Sequence, residues 1–452
     1  MIFYDFEVFA YDWLVVLIDL NAKEETVIIN DPEKLKGFYE KQKGTIWAGY
    51  NSRNYDQYIL KGILCGFNPK QVNDWIILQD KPGYRFSSLF RNFPLINYDV
   101  MPNPPISLKA LEAFMGHSIK ETTVPFDINR PLTEEELAET VKYCRHDVEE
   151  TVEVWLRRKA DEFDAQMSLV KTFNLPISDI GRTKAQLSAK ILGAIQRDHN
   201  DEFEIEFPDT LRIERYTEVL NWYKNPLNRD YSKSLEIDVA GVPHVFAWGG
   251  LHGAIPKYFG EGWYINVDVA SYYPSLMLRY GWISRNVADP AKYDEIYHTR
   301  LKLKAEKNPM QQPYKIVLNS TYGAMKDRHN AMYDPRQANN VCVGGQLLLL
   351  DRIISTHALC IGNMGHSNNH LIMDMISTHT LRTEGGKHGI HADANHHPIS
   401  IHAPLSGSDQ GFAVLPAGHN GPTRAPARRK GTLHARKRPI SPAFWRSLPQ
   451  RT

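Results

Sequence analysis

Residues 1–20 read MIFYDFEVFAYDWLVVLIDL. In an extended chain successive side chains point to opposite sides, so Ile2, Tyr4, Phe6 and Val8 share one face and Phe3, Asp5 and Glu7 the other. The pattern predicts a strand with an apolar face and two carboxylates two residues apart on its reverse, with 14–18 as its hairpin partner. Working outward, 46–50 reads as another short strand. The polar run Asn51-Ser52-Arg53-Asn54 follows, and Tyr55-Asp56 opens a helical pattern through Tyr58, Ile59, Ile63 and Leu64. Thr133 and Glu136 have the spacing of a capping box. The helix they start repeats Leu137, Val141, Cys144, Val148, Val152 and Trp155 at intervals of three and four, and sets Tyr143 and Asp147 one turn apart. Helical patterns continue to about Arg197, and 200–232 reads as a connector. An alternating strand is predicted at 263–271, with Asp268 opposite Trp263, Ile265, Val267 and Val269. Helices are expected at 293–307, 313–326 and 337–355. The class is therefore mixed α/β.

The chain has 452 residues, enough for two to four domains. Its 53 basic and 52 acidic residues leave a net charge of +1, which excludes a DNA-coating basic protein and an acidic-tail protein. Cys65, Cys144, Cys342 and Cys360 show no CxxC spacing, so neither a disulfide framework nor a cysteine zinc site is expected, and a reducing compartment is. Asp5 and Glu7 so early argue against a signal peptide, and no apolar run suits a membrane.

Asp5, Glu7, Asp56 and Asp147 make a set of hard oxygen donors. Such a set suits Mg²⁺ or Mn²⁺, two ions to one active site, able to activate water against a phosphodiester. Tyr143, a turn before Asp147, is placed to orient that water. Taken singly, each carboxylate reads as a surface residue; together they do not. Asp5-Phe6-Glu7, then Asn51 to Asp56, then Tyr143-Cys144-Arg145-His146-Asp147 resemble the three motifs of proofreading 3′–5′ exonucleases of the DEDD type. Tyr143 indicates the tyrosine subclass, because Lys142 stands where the histidine subclass carries its histidine. The resemblance implies a ribonuclease-H-like α/β domain over 1–170.

Asp268-Val269-Ala270-Ser271-Tyr272-Tyr273-Pro274-Ser275 resembles motif A of family B DNA polymerases, and Lys315 to Gly323 resembles their motif B. Asp268 is expected to hold metal. Ser271, Tyr272, Tyr273, Lys315, Asn319 and Tyr322 are expected to bind the nucleotide, Tyr273 as a steric gate against a 2′-hydroxyl and Lys315 as a charge on the phosphates. The resemblance adds Arg300, with Lys304, on the triphosphate, whereas Lys302 and Lys307 read as a solvated helix face. Gly249-Gly250 matches part of a family element that has Tyr where Ala247 stands. The implied arrangement is a connector and start of the polymerase domain over 171–260, palm over 261–290, fingers over 291–340 and a palm helix over 341–356. The short span from Ser275 to Arg300 points to ordinary primers rather than a protein primer.

The resemblance, to the compact bacteriophage enzymes, ends there. Residues 324–452 contain no Asp-x-Asp for motif C, and no thumb-like helices follow. Residues 357–452 hold 11 of the 18 His, no Tyr, and 11 basic against four acidic residues; 1–356 hold 42 basic and 48 acidic. That composition predicts a mostly disordered tail. We read it as the product of a shifted frame near 351–360, which an alternative frame encoding an Asp-Thr-Asp segment in the source DNA would bear out. A metal role for His397 and His402, or a nucleic-acid role for Arg424 to Arg438, is the weaker reading of it. The expected activity is a DNA polymerase with a proofreading exonuclease, its polymerase site crippled by the missing motif C. The alternatives are an exonuclease alone or a non-catalytic DNA-binding remnant. The expected partners are primer–template DNA, single-stranded 3′ ends and deoxynucleoside triphosphates, in the cytoplasm of a bacterial host.

Overall fold

The computed structural model describes residues 1–255, 264–269, 271–363, 372–373 and 399–403, with side chains over 1–255 and 271–351. The chain is mixed α/β and divides into two units, the first over Met1–Thr183 and the second beginning at Lys184. The break lies beyond the boundary expected at 170. The reason is local: Gln166 donates to the Arg182 carbonyl at 2.8 Å and the Arg53 guanidinium to that of Gly181, so the segment after 170 closes back onto the first unit.

In the first unit, β1 (Ile2–Val8) runs antiparallel to β2 (Trp13–Asp19), opposing Asp5 to Val16 and Glu7 to Leu14. β3 (Glu24–Ile29) extends that hairpin. After α1 (Pro32–Gln42), β4 (Ile46–Gly49) lies parallel to β1. α2 (Asp56–Leu64) and α3 (Pro69–Ile77) come next, and β5 (Ile96–Asp99) lies parallel to β4. The order is β3-β2-β1-β4-β5. Three helices follow: α4 (Leu108–Met115), α5 (Glu134–Arg158) and α6 (Phe163–Thr172).

The alternation of β1 decides the layering. Ile2, Tyr4, Phe6 and Val8 join Leu35, Tyr39, Trp47, Ile59, Leu60 and Ile63 in one core. The reverse face meets α5, where Phe3 packs edge-on against Trp155 at 5.5 Å. α5 begins in the predicted Thr133–Glu136 capping box, with acidic residues in its first turn and basic ones in its last, which suits the helix dipole. Loop 51–54 is fixed from below: Tyr4 Oη donates to Asn97 Oδ1 at 2.9 Å, and Asn97 Nδ2 to the buried Ser52 Oγ at 3.2 Å. Gly49 is required there, since a Cβ would lie 2.9 Å from the Tyr4 carbonyl oxygen and 2.8 Å from Ser52 Cβ.

The second unit opens with α7 (Lys184–Ile191). The stretch read as a connector contains a helix, α8 (Thr217–Lys224), because Val219 and Tyr223 bury one face of it. A meander follows of β6 (Ser234–Val239), β7 (Val242–Ala247) and β8 (Gly250–Gly253). Tyr223, Phe246, Trp248, Val343 and Leu347 share its core. Next come β9 (Tyr264–Val269), α9 (Tyr272–Arg279), α10 (Ala291–Ala305), α11 (Gln311–Lys326) and α12 (Pro335–Asn363). Within the stretch expected to be a disordered tail, the described residues are the end of α12 and the strands β10 (Ile372–Met373) and β11 (Ile399–Ala403), both parallel to β9. The rest of that expectation, His397 and Arg424 to Arg438 included, lies outside the described residues. Among the described residues no helix is long and apolar enough to cross a membrane.

Candidate active site

β1 presents Asp5 and Glu7 on the face toward α5. The backbone N–H of Phe6, between them, donates to Asp56 Oδ1 at 3.1 Å and draws the first residue of α2 onto the strand. A carboxylate at a helix N-terminus is favoured by the dipole, yet Asp56 is only 2% exposed. Burial pushes its pKa up to about 7, against the pull of N–H donors from Phe6 and its own backbone. Asp147 projects from α5. Burial also raises Asp5, Glu7 and Asp147; Asp5 is raised further by Asp56, Glu7 and Asp147, and Glu7 by Asp147 and Asp56. The four expected carboxylates thus share one electrostatic neighbourhood.

Lys109 on α4 is the cation of that neighbourhood. Its Nζ lies 2.5 Å from Asp147 Oδ1, 3.4 Å from Glu112 Oε1 and 4.7 Å from the centre of the Tyr143 ring. Glu112 is fully buried, with His146 Nε2 3.6 Å from its Oε1. The Tyr143 hydroxyl interacts with Asp147, and burial and the surrounding carboxylates hold its pKa well above the ordinary phenol value, so it stays protonated. Lys109, Glu112 and His146 escaped sequence reasoning. The first two are more than 30 residues from Asp147 on a separate helix. His146 stood inside the third motif with no spacing to mark it.

Among the described residues one ammonium, Lys109, faces five carboxylates, those of Asp5, Glu7, Asp56, Glu112 and Asp147, too little positive charge for all of them to be ionised together. Glu7 is buried, and its carboxylate has no hydrogen bond or ion pair among the described residues. Hard oxygen donors in deficit of positive charge fit Mg²⁺ or Mn²⁺. A stability test follows. Asp56 has a folded-state pKa of about 7 against 3.8 unfolded, so the fold binds an extra proton between those values. Its contribution to stability is present below about pH 4 and is lost as pH rises through 7, a loss on the order of 4 kcal/mol. In excess EDTA the Tm should therefore be higher at about pH 6 than at about pH 8, and saturating Mg²⁺ should raise it more at the higher pH. Differential scanning fluorimetry measures both.

A second polar cluster lies in the second unit. Ser271, at φ +52°, precedes α9, and Arg300 Nη1 donates to its Oγ at 2.7 Å. Arg300 is 7% exposed, its Nε makes no hydrogen bond, and no carboxylate pairs with it among the described residues. Burial lowers its pKa. Tyr273 stacks on Tyr322 at 4.5 Å and 19° between rings. Tyr272, grouped with the nucleotide binders from sequence, is buried and donates to the Gly345 carbonyl at 2.6 Å, which anchors α9 on α12. Lys315 is half-buried and Asn319 exposed one turn later on α11, while Lys302, Lys304 and Lys307 are exposed. Asp268 is on β9, opposite His402 in register; its side chain lies outside the described residues. Gly250 ends the β7–β8 turn, where the Ala247 carbonyl accepts from Tyr223 and Gln346 at 3.0 Å each.

No protein-family model matches the chain, and no curated protein matches it.

Proposed function

We propose that residues 1–183 form a ribonuclease-H-like 3′–5′ DNA exonuclease of the DEDD tyrosine subclass. The residues that follow are then the palm and fingers of a family B DNA polymerase whose synthesis is very weak or absent for want of motif C. The observation that carries the reading is the convergence of Asp5 and Glu7 from β1, Asp56 from the start of α2 and Asp147 from α5, with a charge deficit that calls for cations. The sheet order β3-β2-β1-β4-β5, antiparallel up to β1 and parallel beyond it, supports the fold named.

Asp5, Glu7, Asp56 and Asp147 would hold the Mg²⁺ or Mn²⁺ ions, which when bound would supply Lewis-acid activation of water and stabilisation of the leaving 3′ oxygen. The chain's own residues do the positioning. The Phe6 N–H holds Asp56 in one orientation. Lys109 directs Asp147 and opposes the upward push of burial on its pKa. Tyr143, its proton toward Asp147, has oxygen lone pairs left to accept a hydrogen bond from the attacking water. In the polymerase part, a buried guanidinium without a carboxylate partner among the described residues supports a triphosphate site at Arg300 and Ser271. The Tyr273–Tyr322 stack supports a flat wall beside the sugar. One carboxylate at Asp268 cannot position two ions, which is why synthesis is expected to fail.

The test uses the full-length protein. With Mg²⁺ it should shorten a 5′-labelled single strand from the 3′ end, stop in EDTA, and fail to extend a primer–template supplied with deoxynucleoside triphosphates. Absence of degradation by folded protein overturns the first half of the proposal, and processive synthesis overturns the second. Lys109→Ala should lower the degradation rate about 10–100-fold, the range seen when a partner of a metal ligand is lost.

A further inference from the structure

The thiol of Cys144 belongs to no oxygen-donor scheme, yet it faces the same centre. Cys144 is fully buried on α5, with Sγ 3.3 Å from the Asp5 carbonyl oxygen and 3.7 Å from Asp5 Oδ2. One donor atom each from Asp5, Glu7 and Cys144 lie within 4.8 Å of one another. Such a triangle has a centre at most about 2.8 Å from each corner, close to Zn–S near 2.3 Å and Zn–O near 2.1 Å, so tenths of an ångström of adjustment close it. Glu7, more than nine-tenths buried, brings to this point a carboxylate with no hydrogen bond or ion pair among the described residues. Neither Cys65 nor Cys342 has two such donors in reach among the described residues.

We propose that Asp5, Glu7 and Cys144 form a site for thiophilic divalent cations, Zn²⁺ or Cd²⁺, which overlaps the carboxylate site and through which such ions block the nuclease. The blocking, though not the binding, rests on the exonuclease reading. Sulfur selects soft ions over Mg²⁺, and the same carboxylates serve both, so the two kinds of ion compete. On binding, a metal–sulfur bond forms and the S–H proton passes to solvent; no electron is transferred.

The experiment is a Cd²⁺ titration of the metal-free full-length protein, followed by the ultraviolet charge-transfer band of a cadmium-bound thiolate. Mg²⁺-dependent 3′ degradation is measured in parallel. A saturable band is expected that is lost in Cys144→Ser and kept in Cys65→Ser and Cys360→Ser. The histidines of 357–452 can bind Cd²⁺ but do not produce a thiolate band. No band in the wild-type chain, or a band that survives in Cys144→Ser, overturns the proposal. Should Cys144→Ser fail to fold, Glu7→Gln, which keeps the thiol, decides: at least a tenfold loss of Cd²⁺ affinity is expected, and unchanged affinity overturns the site. A band without any Mg²⁺-dependent degradation defeats the exonuclease reading alone, and degradation without a band defeats this proposal alone.

Discussion

Asp5→Ala is expected to slow Mg²⁺-dependent release of 3′ nucleotides by about 10³-fold or more, because loss of a shared ligand removes the geometry for both activated water and leaving oxygen. The same change should leave the metal-free protein no less stable, since burial and then the neighbouring Asp56, Glu7 and Asp147 all disfavour an ionised carboxylate at Asp5. The two readouts together separate a lost reaction from a lost fold. Cys144 bonds the Asp5 backbone carbonyl, which alanine keeps. Single-turnover degradation and a thermal melt make the measurement. A variant that degrades at the wild-type rate takes Asp5 out of the reaction, and the nuclease proposal with it.

Arg285→Ala should destabilise the second unit by about 3 kcal/mol, at the lower end of the cost of breaking a buried ion pair, with a fall in Tm of roughly 5–10 °C. Arg285 donates to Asp334 through its backbone N–H at 2.7 Å, Nε at 3.0 Å and Nη2 at 2.8 Å, and to Asp201 through Nη1 and Nη2 at 2.7 and 2.8 Å. Asp334 is wholly buried, so truncation removes its guanidinium partner and leaves it, among the described residues, only the backbone N–H donors of residues 285 and 337 at the start of α12. Arg285→Lys should recover only part of the loss, because an ammonium cannot grip two carboxylates in fork geometry. Asp201, held down to about 2 by Arg285 first among its causes, contributes stability that is present above about pH 4 and lost as pH falls through 2. A urea melt of Arg285→Ala matching wild type would show that this network carries no net stability.

Much of the local structure could be read along the chain. Alternation in residues 2–8, the Thr133 cap and the apolar repeat behind it depend only on near neighbours, and β1 and α5 stand where they were expected. Weaker patterns do not stand out: the four residues of β5 mix Asn97 and Asp99 with Ile96 and Tyr98, unlike the apolar β4, and α4 and α8, at eight residues each, span few helical periods. α12 continues to Asn363, past the expected 355.

The candidate site divides in the same way. Its acidic residues announced themselves because two share a strand face and a third sits in a helix with Tyr143, relations that the backbone period alone defines. What the tertiary structure decided was how those charges are balanced. Lys109 and Glu112 reach Asp147 only because α4 packs on α5. Cys144 meets Asp5 only because α5 lies across β1. Arg300 meets Ser271 only after α10 folds back on α9. The identity and order of the carboxylates are properties of the sequence. Their raised pKa values, the ammonium beside them and the thiol among them come from burial and long-range proximity, which no spacing along the chain encodes.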